Sequence, residues 1–449
     1  MSSFYISAAH KSSGKTSVSI GLAGAMAKRG RIVQTFKRGP DYIDPIWLKA
    51  ASSNPCYNLD FNTQSLDEIK HLFALKSGGA DACFVEGNKG LFDGVDVEGS
   101  DSNAALAKLL DLPVVLVIDC VGMTRGIAPL LLGYQAFDEN VNIAGIILNK
   151  TGGSRHEGKL RAAVEKYTDI KVLGTLPKTS AMQIPERHLG LMPANEMQNA
   201  ASVIDGLASE VEAGVDIDAI LSLGQQSTTT VAPTNAPAHD ITIAVARDAA
   251  FGFYYPDDLE AFSTHGANIV FFDAINDKEL PKCDGLFIGG GFPETQIAEL
   301  NKNQAMRRSI KRALDAGLAC YAECGGLMYL SNSICYDGNT ADMVGFIPAQ
   351  VNMHKKPQGR GFVKLEATGS SPWSWSGEQI AAHEFHYAEL SGLPDSANYA
   401  YKVKRGYGID GAHDGLLIGN CMASFSHLRN TDASPWVKSF TDFVRNHAG

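Results

Sequence analysis

Short apolar, β-rich runs alternate with helical patterns through residues 1–195, and after one polar break the alternation starts again near residue 240. The first series runs FYISA, IVQTF, ACFVEG, PVVLVIDC, AGIILNK and KVLGTLP, with helical stretches such as VSIGLAGAMAKRG between them. That order specifies βαβ units and a mainly parallel sheet with helices on both faces. PVVLVI and AGIIL are apolar at consecutive positions, as strands covered on both sides must be. The break, QQSTTTVAPTNAPAHD, has two prolines and no hydrophobic period, so it reads as a linker. Beyond it come DITIAVARD, ANIVFFDA, CDGLFIGGG and GLACYAECGG. At 449 residues the chain exceeds what one core usually supports. The expected organisation is α/β throughout: a parallel-sheet domain over 1–195, a connecting helix and linker over 196–239, and a second α/β domain over 240–449.

Composition narrows the classes. Hydrophobic residues at 45% and charged residues at 20% suit a folded globular chain. A formal charge of −10 argues against nucleic acid, whose phosphates are held by Lys and Arg patches. The start MSSFYISAAH lacks a basic, then apolar, leader, and no run approaches the roughly 18 apolar residues of a membrane span. A cytoplasmic protein without a membrane partner is expected. Eight cysteines without a C-x-x-C pair read as reduced thiols. Cys56, Cys83, Cys120, Cys283, Cys320, Cys335 and Cys421 are assigned to packing, and Cys324 is set apart.

The turn after FYISA is HKSSGKTS, which opens a helix. Backbone N–H groups and the helix dipole at such a turn hold phosphates, as in a P-loop. Ser12, Ser13, Gly14, Lys15 and Thr16 are the candidate ATP-binding residues, with Lys15 reaching the β/γ oxygens and Thr16 ligating Mg²⁺. The full G-x-x-x-x-G-K-T pattern fails at its first position, Ala9. FKRGPDYIDP places Lys37, Asp41 and Asp44 in a Gly/Pro-shaped loop, and FVEGNKGLFDG places Glu86 at a strand end with Asp93 in the following turn. In open α/β sheets ligands gather at the carboxyl ends of strands. Mg²⁺ takes one or two carboxylates plus phosphate oxygens and water, which Glu86 and Asp41 satisfy alongside Thr16. Asp119 is a further strand-end carboxylate, and Asn149 in IILNKTGG is expected to read the adenine edge.

In the second half, strand LACYA leads through Glu323-Cys324-Gly325-Gly326 into LMYL. A nucleophile on a sharp strand-to-helix turn needs small neighbours and gains from the helix dipole. Strand GLFI ends in Gly289-Gly290-Gly291, whose backbone N–H groups suit the oxyanion formed when a thiolate attacks an amide carbonyl. The proton has to be carried by a histidine. His427, at the end of ASFSH, suits that role; His383 and His386 in HEFHYAE are the other candidates. HEFH lacks the spacing of the zinc motif HExxH, and it reads as substrate-facing or structural.

Taken together, SSGKTSVSIGL, FKRGPDYIDP, VEGNKGLFDG, ILNKTGGSRH, IPERHLGL, VARDAAFGFYYPD, IGGGFPE, YAECGGLMYL, HEFHYAE and ASFSHL resemble the cobyrinic acid a,c-diamide synthase family over nearly the whole chain. The resemblance implies a dethiobiotin-synthetase-like P-loop ATPase domain followed by a class I glutamine amidotransferase domain. It implies that ATP phosphorylates peripheral carboxylates a and c of a corrinoid, and that ammonia from L-glutamine converts each acyl phosphate to an amide. Lys15 and Thr16 then take the P-loop roles and Glu86 a Mg²⁺ role. Lys37, Asp41, Asp44 and Asp93 handle Mg²⁺, intermediate or substrate, Cys324 forms the thioester, and His427 is its base. Class I amidotransferases usually carry a glutamate two residues after that histidine. Here the position is Arg429, a departure shared with the cobyrinate branch that leaves the orienting partner of His427 unidentified.

Other tetrapyrroles stay open as substrates. AAHKSSGKT and NPCYNLDFNTQS are similar to the siroheme or sirohydrochlorin group, and hydrogenobyrinic acid is a further alternative. A P-loop switch protein with a non-catalytic Cys domain, or a Cys-dependent hydrolase, are readings from other classes. A homodimer is also left open.

Overall fold

Seven parallel strands form the sheet of the first unit in a computed structural model of the chain, which describes residues 2–187, 190–224, 238–371, 373 and 379–447. They are β1 (Ser2–Ala8), β2 (Val33–Arg38), β3 (Tyr57–Leu59), β4 (Ala82–Glu86), β5 (Val114–Asp119), β6 (Ile143–Thr151) and β7 (Val172–Pro177), in the order β3-β2-β4-β1-β5-β6-β7. β1, β2 and β4 are buried along their whole length, as strands covered on both faces are. The register sets Ile6 and Lys37 on either side of Glu86. The ends of β1, β2 and β4 therefore bring their last polar groups to one edge of the sheet.

Helix α1 (Lys15–Lys28) follows β1 directly and is buried from Val18 to Met26. Its small residues admit a second helix, Ala200–Gly214, at close range: a Cβ on Gly21 would stand 2.5 Å from Val211 Cγ2 and 2.8 Å from Leu207 O. Ile204, Leu207, Ala208 and Val211 recur at helical spacing and are buried there. Burying each large apolar side chain of this kind contributes about 1.5–3 kcal/mol. Ile217 and Ile220 of the next helix, Ile217–Leu223, join the same core. The helices assigned from sequence to a connecting segment thus pack within the first unit. Residues 225–237 of the expected linker lie outside the described residues.

The chain divides into a unit of Met1–Phe61 with Ser65–Ala232, and a unit of Asn62–Gln64 with Pro233–Gly449. The second unit holds a nine-stranded sheet in the order Ala267–Phe272, Ile241–Ala246, Gly285–Ile288, Ala319–Glu323, Cys421–Ser424, His413–Ile418, Asn398–Arg405, Gly359–Ala367, Ile380–His386. The first five strands are parallel and the rest antiparallel. Glu323 pairs with Ser424 in the register, so the end of the cysteine strand lies beside the segment that leads to His427. No helix among the described residues is long and apolar enough to cross a membrane.

Candidate active sites

The turn between β1 and α1 is held by its carbonyl oxygens. Ser13 Oγ donates to His10 O at 2.8 Å, Lys150 Nζ donates to Ser12 O at 2.7 Å, and Asn149 Nδ2 donates to Ser13 O at 2.8 Å. Gly14 is left-handed, with φ 83°, and a Cβ there would fall 2.2 Å from Asn149 Nδ2. Only glycine fits both the backbone angle and the space. Asn149, expected at the adenine edge, lies against this turn. It is buried, its Nδ2 holds the loop, and its Oδ1 accepts from Lys150 N at 2.9 Å. Asp119 joins the same brace through Lys150 Nζ at 2.8 Å.

Beside the turn, the strand ends converge as the sequence suggests. Thr16 Oγ1 donates to Glu86 Oε1 at 2.7 Å and to Asp44 Oδ2 at 3.2 Å. Lys15 Nζ stands 3.3 Å and Lys37 Nζ 3.2 Å from Glu86 Oε1. Lys37 Nζ also donates to Asp44 Oδ2. Burial opposes charge on Asp44, yet Lys37, Lys15 and the Thr16 hydrogen bond hold its carboxyl below the usual range. Lys37 is likewise buried, and Asp44, Glu86 and Asp41 keep it protonated well above the ordinary lysine range. Lys15 moves the other way, because burial and the neighbouring Lys37 charge outweigh its carboxylate partners.

Asp41 sits one step back. Its Oδ1 accepts from Ile43 N at 2.9 Å and Asp44 N at 3.1 Å, starting helix α2 (Ile43–Ser52). Burial and the Asp44 charge push Asp41 up to about 6. Asp93 stays with its own turn, accepting from Gly90 N at 2.9 Å. Glu86 is fully buried, and its Oε2 has no hydrogen-bond partner. A buried carboxylate oxygen left without a donor fits a cation. The oxygen set of Thr16, Asp44 and Glu86 is of the kind that suits Mg²⁺, which completes its shell with phosphate and water.

In the second unit Cys324 occupies the turn between Ala319–Glu323 and Gly325–Leu330 with φ 48° and ψ −100°, a strained conformation for a residue with a side chain. The packing that enforces it is backbone on backbone. A Cβ on Gly326 would fall 2.1 Å from Ile288 O, and one on Gly325 would fall 3.1 Å from Gly291 N. Cys324 N donates to Ser424 O at 2.7 Å. Cys324 and His427 are in side-chain hydrogen-bond contact. The other seven cysteines are free and mostly buried, and burial pushes the Cys56, Cys83 and Cys120 thiols up.

The partner of His427 missing from the sequence reading is Glu323. Its Oε2 lies 3.4 Å from His427 Nδ1, while its Oε1 accepts from Tyr321 Oη at 2.7 Å and Leu428 N at 3.0 Å. Burial works against a charged imidazole here. The contacts with Cys324 and Glu323 outweigh it and push His427 up to about 10. Arg429, at the usual glutamate position, faces away to Asp257 at 2.6 Å. Buried carboxylates hold the surrounding segment: Asp414 accepts from Phe425 N and Ser426 N at 3.0 and 2.8 Å, and Asp258 from Asn430 N at 3.0 Å. Glu323 precedes the cysteine by one residue, which is the signal that sequence reasoning passed over.

The glycine triplet divides its roles. Gly289 does not match its expected oxyanion role, because its N–H donates to Tyr254 Oη at 3.0 Å. Gly290 lets His427 approach: a Cβ there would be 2.6 Å from the imidazole Cε1. Gly291 abuts the cysteine turn.

Residues 2–185 match the AAA domain family and residues 242–433 the CobB/CobQ-like glutamine amidotransferase domain family. The class is thus an AAA-type domain joined to a glutamine amidotransferase domain. A "Cobyrinate a,c-diamide synthase" of Magnetococcus marinus is 42% identical over 98% of this chain and 97% of its own. Proteins of that name from Caldanaerobacter subterraneus and Methanosarcina acetivorans are 38% and 39% identical, covering 98% and 94% of this chain and 97% and 91% of theirs. The chain belongs to the cobyrinate a,c-diamide synthase family.

Proposed function

We propose that the chain amidates the a and c side-chain carboxylates of cobyrinate, using ATP to activate each carboxylate and L-glutamine as the nitrogen source. The observation that carries this reading is the pairing of a strained, glycine-flanked Cys324 with His427 and Glu323, in a chain that also gathers Lys15, Thr16, Lys37, Asp44 and Glu86 at one sheet edge. A carboxylate is a poor electrophile for ammonia, and phosphorylation supplies a leaving group. Ammonia is largely ammonium at neutral pH, so it has to be generated where water is scarce.

In the first unit, the turn at Ser12, Ser13 and Gly14 receives the ATP phosphates, and Lys15 reaches the β/γ oxygens. Thr16, Asp44 and Glu86 would hold Mg²⁺, with Asp41 one step back, and the ion would neutralise phosphate charge when bound. Lys37 stands among those carboxylates, positioned to offset the charge of the acyl phosphate.

In the second unit, Cys324 Sγ attacks the side-chain carbonyl of glutamine while His427 holds the thiol proton. His427 returns that proton to the departing ammonia, leaving a thioester that water hydrolyses. Glu323 keeps the imidazole oriented and stabilises its cation. Gly290 and Gly291 flank the developing oxyanion.

Mass spectrometry of tetrapyrroles incubated with ATP, Mg²⁺ and glutamine tests the reading by counting amides from the mass change. Two amides on cobyrinate are expected. Amidation confined to a sirohydrochlorin or siroheme substrate overturns the choice of macrocycle, and a wholly unchanged panel overturns the activity.

A further inference from the structure

We infer that His383, in the HEFH segment, is a positioning residue for the glutaminase step: its ring is the stacked platform that holds the His427 imidazole against Cys324. This rests on the assignment of Cys324 and His427 given above.

Strand Ile380–His386 reaches the site through one antiparallel bridge between His383 and His427. His427 N donates to His383 O at 2.8 Å, and His383 N to His427 O at 3.4 Å. That bridge lays the two rings face to face, with centroids 4.9 Å apart and planes 15° from parallel. Stacking at this separation restrains rotation about the imidazole axis. The His427 ring has two contacts to keep, Nδ1 toward Glu323 and a side-chain hydrogen bond with Cys324. A rotated ring loses both.

His383 is itself held. Its Nδ1 lies 3.4 Å from Tyr255 Oη, and the Arg429 guanidinium lies 4.4 Å from the Tyr255 ring centre while pairing with Asp257. Burial, followed by the His427 and Arg429 charges, pushes His383 well below the ordinary histidine range. The groups facing the pair are Cys324 and Glu323 on one side, and Tyr255, Asp257 and Arg429 on the other. Of two stacked imidazoles, the one against the carboxylate carries the proton and the one beside the guanidinium stays neutral. A neutral π face next to the imidazolium that forms during thiol attack favours that cation. Arg429, where a glutamate is usual in this class, thus serves the stack in place of the base.

The test compares His383→Ala, His383→Phe and Cys324→Ser in the full-length enzyme. His383→Ala is expected to lower kcat with glutamine about 10- to 100-fold, with the KM for glutamine within about twofold and turnover with high ammonium unchanged. The pH profile of kcat/KM for glutamine shifts its acid limb, a change that mere loss of fold does not produce. His383→Phe keeps the stacked face and restores most of kcat and the original profile. Wild-type kcat and profile in His383→Ala overturns the inference, as does a folded His383→Phe that fails as badly as His383→Ala. Cys324→Ser separates this from the reading beneath it: full glutamine use in that variant overturns the nucleophile assignment itself, whereas loss of glutamine use alongside a normal His383→Ala overturns the platform alone.

Discussion

Glu323 Oε2 stands 3.4 Å from His427 Nδ1, so the carboxylate beside this imidazole comes from the residue immediately before Cys324. Its other oxygen is held by Tyr321 Oη and Leu428 N, which fixes the carboxylate from both flanks. One short segment, Glu323-Cys324, supplies two of the three groups, and the sheet register brings His427 to them.

Replacing Glu323 by Gln keeps the shape and removes the charge that holds the imidazolium. Turnover with glutamine is expected to fall about 100-fold, while turnover with high ammonium persists. Steady-state assays with the two nitrogen sources check this; an equal fall in both would show that the glutamate acts on the fold and has no specific part in glutamine hydrolysis.

In the first unit, Glu86→Gln neutralises a carboxylate whose Oε1 meets Lys37, Lys15 and Thr16 and whose buried Oε2 lacks a donor. Turnover is expected to fall at least about 100-fold with either nitrogen source, together with weaker Mg²⁺-dependent ATP binding. Calorimetric titration with Mg-ATP provides the check, and unaltered binding and turnover would remove Glu86 from the site.

Gly290→Ala places a methyl group 2.6 Å from His427 Cε1. The ring must shift, so glutamine-dependent kcat is expected to drop about tenfold or more, with the melting temperature lowered only modestly. Activity and thermal unfolding measured on the same preparation separate the two effects.

The charge of His427 also links stability to pH. Its folded value, about 10, lies above the ordinary 6.5. The folded state therefore binds a proton that the unfolded state has released, and this stabilisation is complete below pH 6.5 and lost as pH rises through about 10. The free energy of unfolding is expected to decline across that window, and to decline less steeply in His427→Gln. Urea titrations at a series of pH values measure both slopes, and parallel slopes would contradict the assignment.

Much of the architecture was legible because periodicity and turn chemistry are local. The consecutive apolar positions of β5 and β6, the Gly-Lys-Thr turn, the glycine triplet and the Cys-Gly-Gly elbow each declare themselves within a few residues. Asn149 shows where locality ends. Its strand-end position suggested base recognition, but whether its amide is available depends on Ser13, over a hundred residues earlier in the chain. Helix Ala200–Gly214 is similar: the sequence placed a helix in the connecting segment, and its partner, the small-residue face of α1, was not visible.

By itself the sequence determined the two α/β units, the Cys-Gly-Gly elbow and the Gly-Lys-Thr turn, because each depends on contiguous residues whose backbone geometry constrains residue type. Only the tertiary structure decided that Glu323 partners His427, that His383 stacks on it, that Gly289 serves Tyr254 and that Arg429 turns to Asp257. These are pairings across strands, set by register and burial, and no spacing along the chain encodes them.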